Sequence, residues 1–299
     1  MTSLNPFTLN LHQRPKLACE VTSEGVVAGR LTEAGQPMTA FAPLFAGAFS
    51  AGLKTPNIAD QTAVVAALKR ALDAVETRDK RLTLVVPDAA ARVLLLDFDT
   101  LPSKVSEALP VVRFRLRKLI PFEADDASVS YQILQQTAEE ARVLVIAMPH
   151  DVLTEYEAAV RLAGYEPGVV LPSTLASLAG VTQAEPALVV NRNGNSVTTA
   201  ITRGEELLLH RSMELPTDEI LRNDDLRHAV SVSLAYFEDT LSTMPDAVFY
   251  AGPGGAPELT RILALEQFRI RDMVSDAAVG TASTVPKGLF AGVAGALAS

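Results

Sequence analysis

Three stretches set glycine and small polar residues directly behind short apolar runs, where a second group could come close to the backbone. Thr22, Ser23, Glu24 and Gly25 follow the run at 17–21; Asn191, Arg192, Asn193, Gly194, Asn195 and Ser196 follow 187–190; Gly252, Pro253, Gly254 and Gly255 follow 246–251. Glycine at such places permits positive φ and close approach of another atom. The same residue types are favoured in ordinary hairpin turns for backbone reasons alone, so the spacing leaves both readings open. Other chemistry has little to stand on. His12, His150, His210 and His228 are scattered without metal-ligand spacing, and no nucleophile elbow, HExxH or Gly-rich Lys loop occurs. The single cysteine, Cys19, lies in an apolar run and reads as a small packing residue. Arg113, Arg115, Arg117 and Lys118 cluster within six residues, as a site for an acidic partner or as a solvated helix face.

The scaffold for these stretches has to be large and aliphatic. A chain of 299 residues suits two lobes, and 48% hydrophobic against 20% charged residues supplies sizeable cores. Aromatics are only 5% and Trp is absent, which favours cores of Ala, Val and Leu in a layered α/β protein. The net charge of −9 disfavours general attraction to nucleic acid or to an anionic membrane, though a local basic patch could override it. Residues 1–6 lack the basic start and long apolar stretch of a secretion signal, so the expectation is a protein that stays inside the cell. The apolar stretch 288–298 falls short of the ~20 residues of a membrane-spanning helix and reads as a buried helix.

Along the chain, 17–21 and 26–31 read as a strand pair about a tight turn, and 55–76 as an amphipathic helix opened by Thr55 and Pro56. Strands follow at 82–86 and 93–98, then a helix within 103–119 interrupted at Pro110. A strand pair at 129–134 and 142–148 leads to a helix over 151–163 stopped by Gly164. A second hairpin spans 187–211, about 170 residues after the first, which predicts a duplication with one hairpin per lobe. A helical stripe at 226–241 and a strand at 246–251 ending in glycines complete the second lobe.

In their order and spacing these segments resemble the PilM family of type IV pilus assembly proteins over nearly the whole chain. The stretches that carry the resemblance are FRLRKLIPFEADDASVSYQIL at 114–134, AGYEP at 163–167, LVVNRNGNSVTTAITRGEELLLHR at 188–211, VFYAGPGG at 248–255 and the terminal VPKGLFAGVAGALA. The resemblance implies an α/β, actin-like (ribonuclease H-like) duplicated two-lobe fold with a small inserted α+β subdomain. The expected division is 1–102 plus 149–183 for the first lobe, 103–148 for the insertion and 184–299 for the second lobe.

It also implies a nucleotide site for ATP with magnesium, in which the turn of each hairpin cradles phosphates and an acidic residue positions the hydrated ion. Carried over, the site comprises Glu20, Ser23, Gly25, Asn191, Gly194, Asn195, Ser196, Gly252, Gly254 and Gly255. It departs from the family pattern: Glu24 intrudes in the first turn, Asn191 stands where the family has aspartate, and Pro253 removes a backbone donor. The expectation is therefore a degenerate site, no catalytic residue and no dedicated metal site. The implied role is a cytoplasmic docking scaffold at the inner face of the inner membrane, with membrane association only through its partner and no nucleic acid. That partner is the cytoplasmic tail of a PilN-like inner-membrane protein, held between the first lobe and the insertion near Ile120, Phe122, Tyr131, Arg113 and Arg117. Those side chains could equally pack the insertion's own core. The alternatives are an active ATP-dependent enzyme of the actin and sugar-kinase superfamily, and the cytoplasmic domain of a GspL-like type II secretion protein.

Overall fold

The computed structural model describes residues 15–75, 78–137, 139–181, 183–264, 268–275 and 285–298. His12 and the opening residues 1–6 lie outside them.

Two sheets repeat one topology. In the first, β1 (Leu17–Val21), β2 (Gly25–Leu31) and β3 (Pro37–Pro43) form an antiparallel meander, and β4 (Arg81–Val86) and β8 (Glu166–Pro172) extend it in parallel, in the order β3-β2-β1-β4-β8. In the second, β9 (Ala187–Asn193), β10 (Ser196–Arg203) and β11 (Glu206–Glu214) form the meander, and β12 (Ala247–Ala251) and β13 (Arg269–Asp272) the parallel extension, in the order β11-β10-β9-β12-β13. The strands facing both ways into packed layers, β1, β4 and β9, are almost wholly buried, as their continuous Leu, Val and Ala runs require.

Helices fill matching places in the two halves. The first has α1 (Gln61–Ala74), α3 (His150–Leu162) and α4 (Ser173–Ser177); the second has α5 (Glu219–Leu241) and α6 (Gly255–Leu263), while the last helix, α7 (Ala291–Ala298), crosses back to pack on α4 and on β1, β2 and β4 of the first sheet. α1 buries Val64, Ala67, Leu68, Ala71 and Leu72, the one-sided spacing of a helix on a sheet. It starts six residues after the expected Thr55, because Asp60 caps it by accepting from Ala63 N at 2.8 Å, while Asn57 N and Ile58 N are drawn off to the Glu155 carboxylate. Residue 76, the expected end of that helix, is outside the described residues.

A third, antiparallel sheet has the order β5-β7-β6, from β5 (Arg92–Phe98), β6 (Ala127–Gln136) and β7 (Ala141–Pro149). β5 thus leaves the first sheet through the turn Asp88–Ala90, and the third sheet begins within the stretch 1–102 assigned to the first lobe from sequence. α2 (Val105–Leu116) covers this sheet, burying Ala108, Val112 and Leu116 against Leu96, Ala141, Val143 and Val145. It runs unbroken through Pro110, which sits on the exposed side where water can satisfy the freed carbonyl.

Candidate functional site

Glu20 is the penultimate residue of β1, Asp88 follows β4, Ser173 follows β8, Asn191 and Asn193 lie in the last three residues of β9, Gly252 follows β12, and Asp272 ends β13. All lie at the carboxyl ends of parallel strands, the edge where α/β sheets bind ligands. The two halves meet at this edge through a buried chain of polar groups. Asn193 Nδ2 donates to Glu20 Oε1 at 2.7 Å, across the two halves. Ser173 donates its hydroxyl to Glu20 and accepts from Asn191 Nδ2 at 3.2 Å. Asn191 Nδ2 also donates to Thr174 Oγ1 at 3.0 Å, and Thr174 donates its N–H at 3.1 Å and its hydroxyl to the Asp88 carboxylate. Every member is buried, and the network satisfies groups that would otherwise be costly to desolvate.

Burial dominates the electrostatics. It lifts Glu20 from 4.5 to about 8, with the Ser173 hydrogen bond opposing, Asp88 adding to the rise and Asn193 opposing. Glu20 is therefore mostly a neutral acid at pH 7. Glu24 is also raised by burial, partly offset by the Arg192 guanidinium. Tyr250 is pushed to about 12 by burial against the opposing charge of Arg192.

Of the expected nucleotide residues, two from the opposite hairpin turns meet. Ser23 and Gly194, from the two hairpin turns, approach so closely that a Cβ on Gly194 would sit 3.2 Å from Ser23 Oγ. Gly194 has φ +57°, a conformation that suits glycine. Asn195 is exposed, its carbonyl accepting from Leu215 N at 2.7 Å, and Ser196 donates back to Asn193 O at 3.0 Å. Gly25 is buried against Phe41 and the Ala42 carbonyl, with no room for a Cβ. Gly252 abuts Arg192 and Tyr250 on one side, and Gly288 packs directly on its backbone. Gly254 and Gly255 open α6 with φ of +73° and +63°, and there Asp272 Oδ1 accepts from Ala256 N at 2.6 Å. α7 closes the floor: a Cβ on Gly292 would collide with Glu20 Oε2, and one on Gly295 with the Ala176 carbonyl.

Sequence reading found the hairpins, with Asn193 among the residues of the second, but not Asp88, Ser173, Thr174 or Asp272. For Asp88, Ser173 and Thr174 the available signal was position, since each follows an apolar strand that proves to run parallel to its neighbour, as in the VVPD and VVLPST segments; Asp272 ends the charged strand β13 and had no such signal.

A second concavity lies between the first sheet and the third. β6 and β8 are outer strands of their sheets, and with β7, α3 and the end of β4 they line an apolar groove of about 160 Å³. Ser128, Val129, Ser130, Met148, Val170 and Pro172 are among its walls. A wider cleft of about 770 Å³ is lined by Phe122, Glu123, Asp125, Asp126 and Asp151, with Lys54 and His150. Of the residues expected to meet a partner, Phe122 borders this cleft. Ile120 is 8% exposed and belongs to the core under α2, against which Tyr131 is half-buried. Arg113 donates to the Ala124 carbonyl, and Arg117 pairs with Asp125 at 2.9 Å. His150 contacts Ser128 Oγ through Nδ1 at 3.1 Å, and both buried nitrogens of His210 lack a hydrogen-bond partner among the described residues. Burial pushes the Cys19 thiol up, in keeping with a packing residue.

Two sheets of one topology, joined at their carboxyl edges and interrupted by a small third sheet, define the actin-like ATPase fold. The chain superposes on one from the PilM–PilN type IV pilus biogenesis complex with a TM-score of 0.73 at 19% identity, covering 95% of this chain and 98% of that one. A Bacteroides thetaiotaomicron protein with an actin-like ATPase fold gives a TM-score of 0.52 at 11% identity, over 90% and 96% of the two chains. The cytoplasmic domain of EpsL, an inner-membrane component of the type II secretion system of Vibrio cholerae, gives 0.49 at 11% identity over 78% and 80%. No family model and no curated protein matches the sequence. Among the described residues no helix is long and apolar enough to cross a membrane.

Proposed function

We propose that this protein is a cytoplasmic docking scaffold of a type IV pilus or related assembly, and that it holds the tail of a PilN-like inner-membrane protein in the groove between its first and third sheets. The observation that carries the reading is the groove itself, in a fold shared along 95% of the chain with the PilM–PilN structure. Its walls include β6 and β8, each an outer strand of its sheet among the described residues, and such edges offer backbone donors and acceptors to an extended peptide. The apolar pocket beside them has room for one large aliphatic anchor. The adjoining cleft is acidic, with Glu123, Asp125, Asp126 and Asp151 on its walls. That charge suits a segment just inside a membrane, where Lys and Arg are in excess. The scaffold is held at the inner face of the inner membrane by this tail.

We further propose that the central cleft takes no nucleotide. The carboxylate that would position magnesium is a buried neutral acid occupied by Asn193 and Ser173, and Gly292 leaves no space beside it. The N-terminus of α6 is already met by Asp272. Arg192, at the Gly252 turn, lies against Glu24 and Tyr250. The residues present therefore do not fit ATP with magnesium. Fluorescence anisotropy with a labelled tail peptide from the neighbouring inner-membrane protein tests the docking role. Saturable binding that Phe122→Ala weakens about ten-fold supports it; no binding of any such tail removes it.

A further inference from the structure

We propose that the outward face of α2 is a second docking surface, one that rests on the anionic leaflet of a membrane. The helix buries Ala108, Val112 and Leu116 and turns Val111 and Phe114 the other way, and these side chains are 38% and 68% exposed. Leu119, in the turn that follows, is 46% exposed. An exposed Phe with two exposed aliphatic side chains on a covering helix has no role in the core described above. Arg115 and Lys118 flank this patch and have no acidic partner among the described residues. Two neighbouring acids pair with other cations, Glu107 with Lys104 at 3.3 Å and Asp125 with Arg117 at 2.9 Å, while Glu123 and Asp126 line the adjoining cleft. From 110 to 121 the chain carries four cations and no anion, on a protein of net charge −9. Apolar side chains ringed by Arg and Lys on a convex helix are what an interfacial helix presents to headgroups.

The choice of a membrane over a protein rests on the proposed docking role. A short tail bound in the groove allows only about 3.5 Å of reach per residue, so the scaffold is drawn against the leaflet from which the tail emerges. The body of the protein is repelled by that negative surface, and α2, which covers the same small sheet whose strand β6 lines the groove, is where contact is favourable. Tail and helix then act as two weak attachments whose effects multiply.

Flotation of the full chain with phosphatidylcholine vesicles, with and without phosphatidylglycerol, tests this at low and physiological salt. The expected result is flotation only with the anionic vesicles, weakened by salt. Arg115→Ala with Lys118→Ala should lower the apparent affinity roughly thirty-fold. Phe114→Ser should lower it as well, with thermal midpoints unchanged because the side chain is exposed. Equal flotation on both vesicle types, none on either, or no loss in the variants overturns the proposal. So does concentration-dependent dimerisation that Phe114→Ser abolishes in a chain that ignores vesicles, which would assign the face to a second copy. Tail-peptide anisotropy on the same preparations separates the two ideas: peptide binding without vesicle binding removes this inference and leaves the docking role standing.

Discussion

At the residue scale, Glu20 gives the fold a pH signature. Below its ordinary value of 4.5 the acid is protonated whether folded or unfolded, and burying it carries no ionisation cost. As pH rises from 4.5 towards about 8 the unfolded chain releases the proton while the folded chain keeps it, so stability falls across that window and levels off above it. Over the whole window the loss is on the order of 5 kcal/mol. Glu20→Gln keeps an acceptor for Asn193 but cannot ionise. Urea titrations at pH 5 and pH 8 should therefore show the wild type losing stability with pH and the variant losing much less of it. The position of this carboxylate behind an apolar run was legible in the sequence, as were the departures at Glu24 and Asn191. Its state was not, because the groups that set it, Asn193, Ser173 and Gly292, come from other elements 150 or more residues away.

At the element scale, α7 is held by close approach instead of large side chains. Gly295 faces the Ala176 carbonyl of α4, and a methyl group there has nowhere to go. Gly295→Ala should cost about 1–3 kcal/mol, read as a lowered urea midpoint, whereas Gly35→Ala, with open space around it but φ +73°, should show only the smaller backbone cost of a left-handed turn. The strands that sequence reading recovered were those with a tight turn beside them or a continuous apolar run, such as β1 and β2, β9 to β12, and β4. Those it missed, β3, β8 and β13, are all outer strands. Their one-sided pairing tolerates Pro37, Pro43, Pro167 and Pro172 at or near their ends and the charged Arg269, Arg271 and Asp272 within, so neither alternation nor an apolar run marks them. Nor did local pattern reveal that β5 pairs with β7, since pairing is decided by residues some 50 positions apart.

For the whole molecule, duplication explains both the cleft and its closure. Copying one meander with a parallel extension brings two sets of strand ends together, and in the related ATPase fold that meeting place suits a ligand. Here Asn193 on Glu20, and Asn191 on Ser173 and Thr174, join the halves directly. A ligand that binds only the folded form must raise its melting midpoint, so a thermal-shift titration should stay flat up to millimolar Mg-ATP. The repeat itself was legible as two hairpins about 170 residues apart, whereas contacts across the halves have no local trace. The account rests on a scaffold that docks its tail without nucleotide. Titrating the labelled tail peptide into the protein, with and without Mg-ATP, measures that in one experiment. Superimposable, saturable isotherms are predicted; binding that appears only with Mg-ATP, or in neither case, would contradict it.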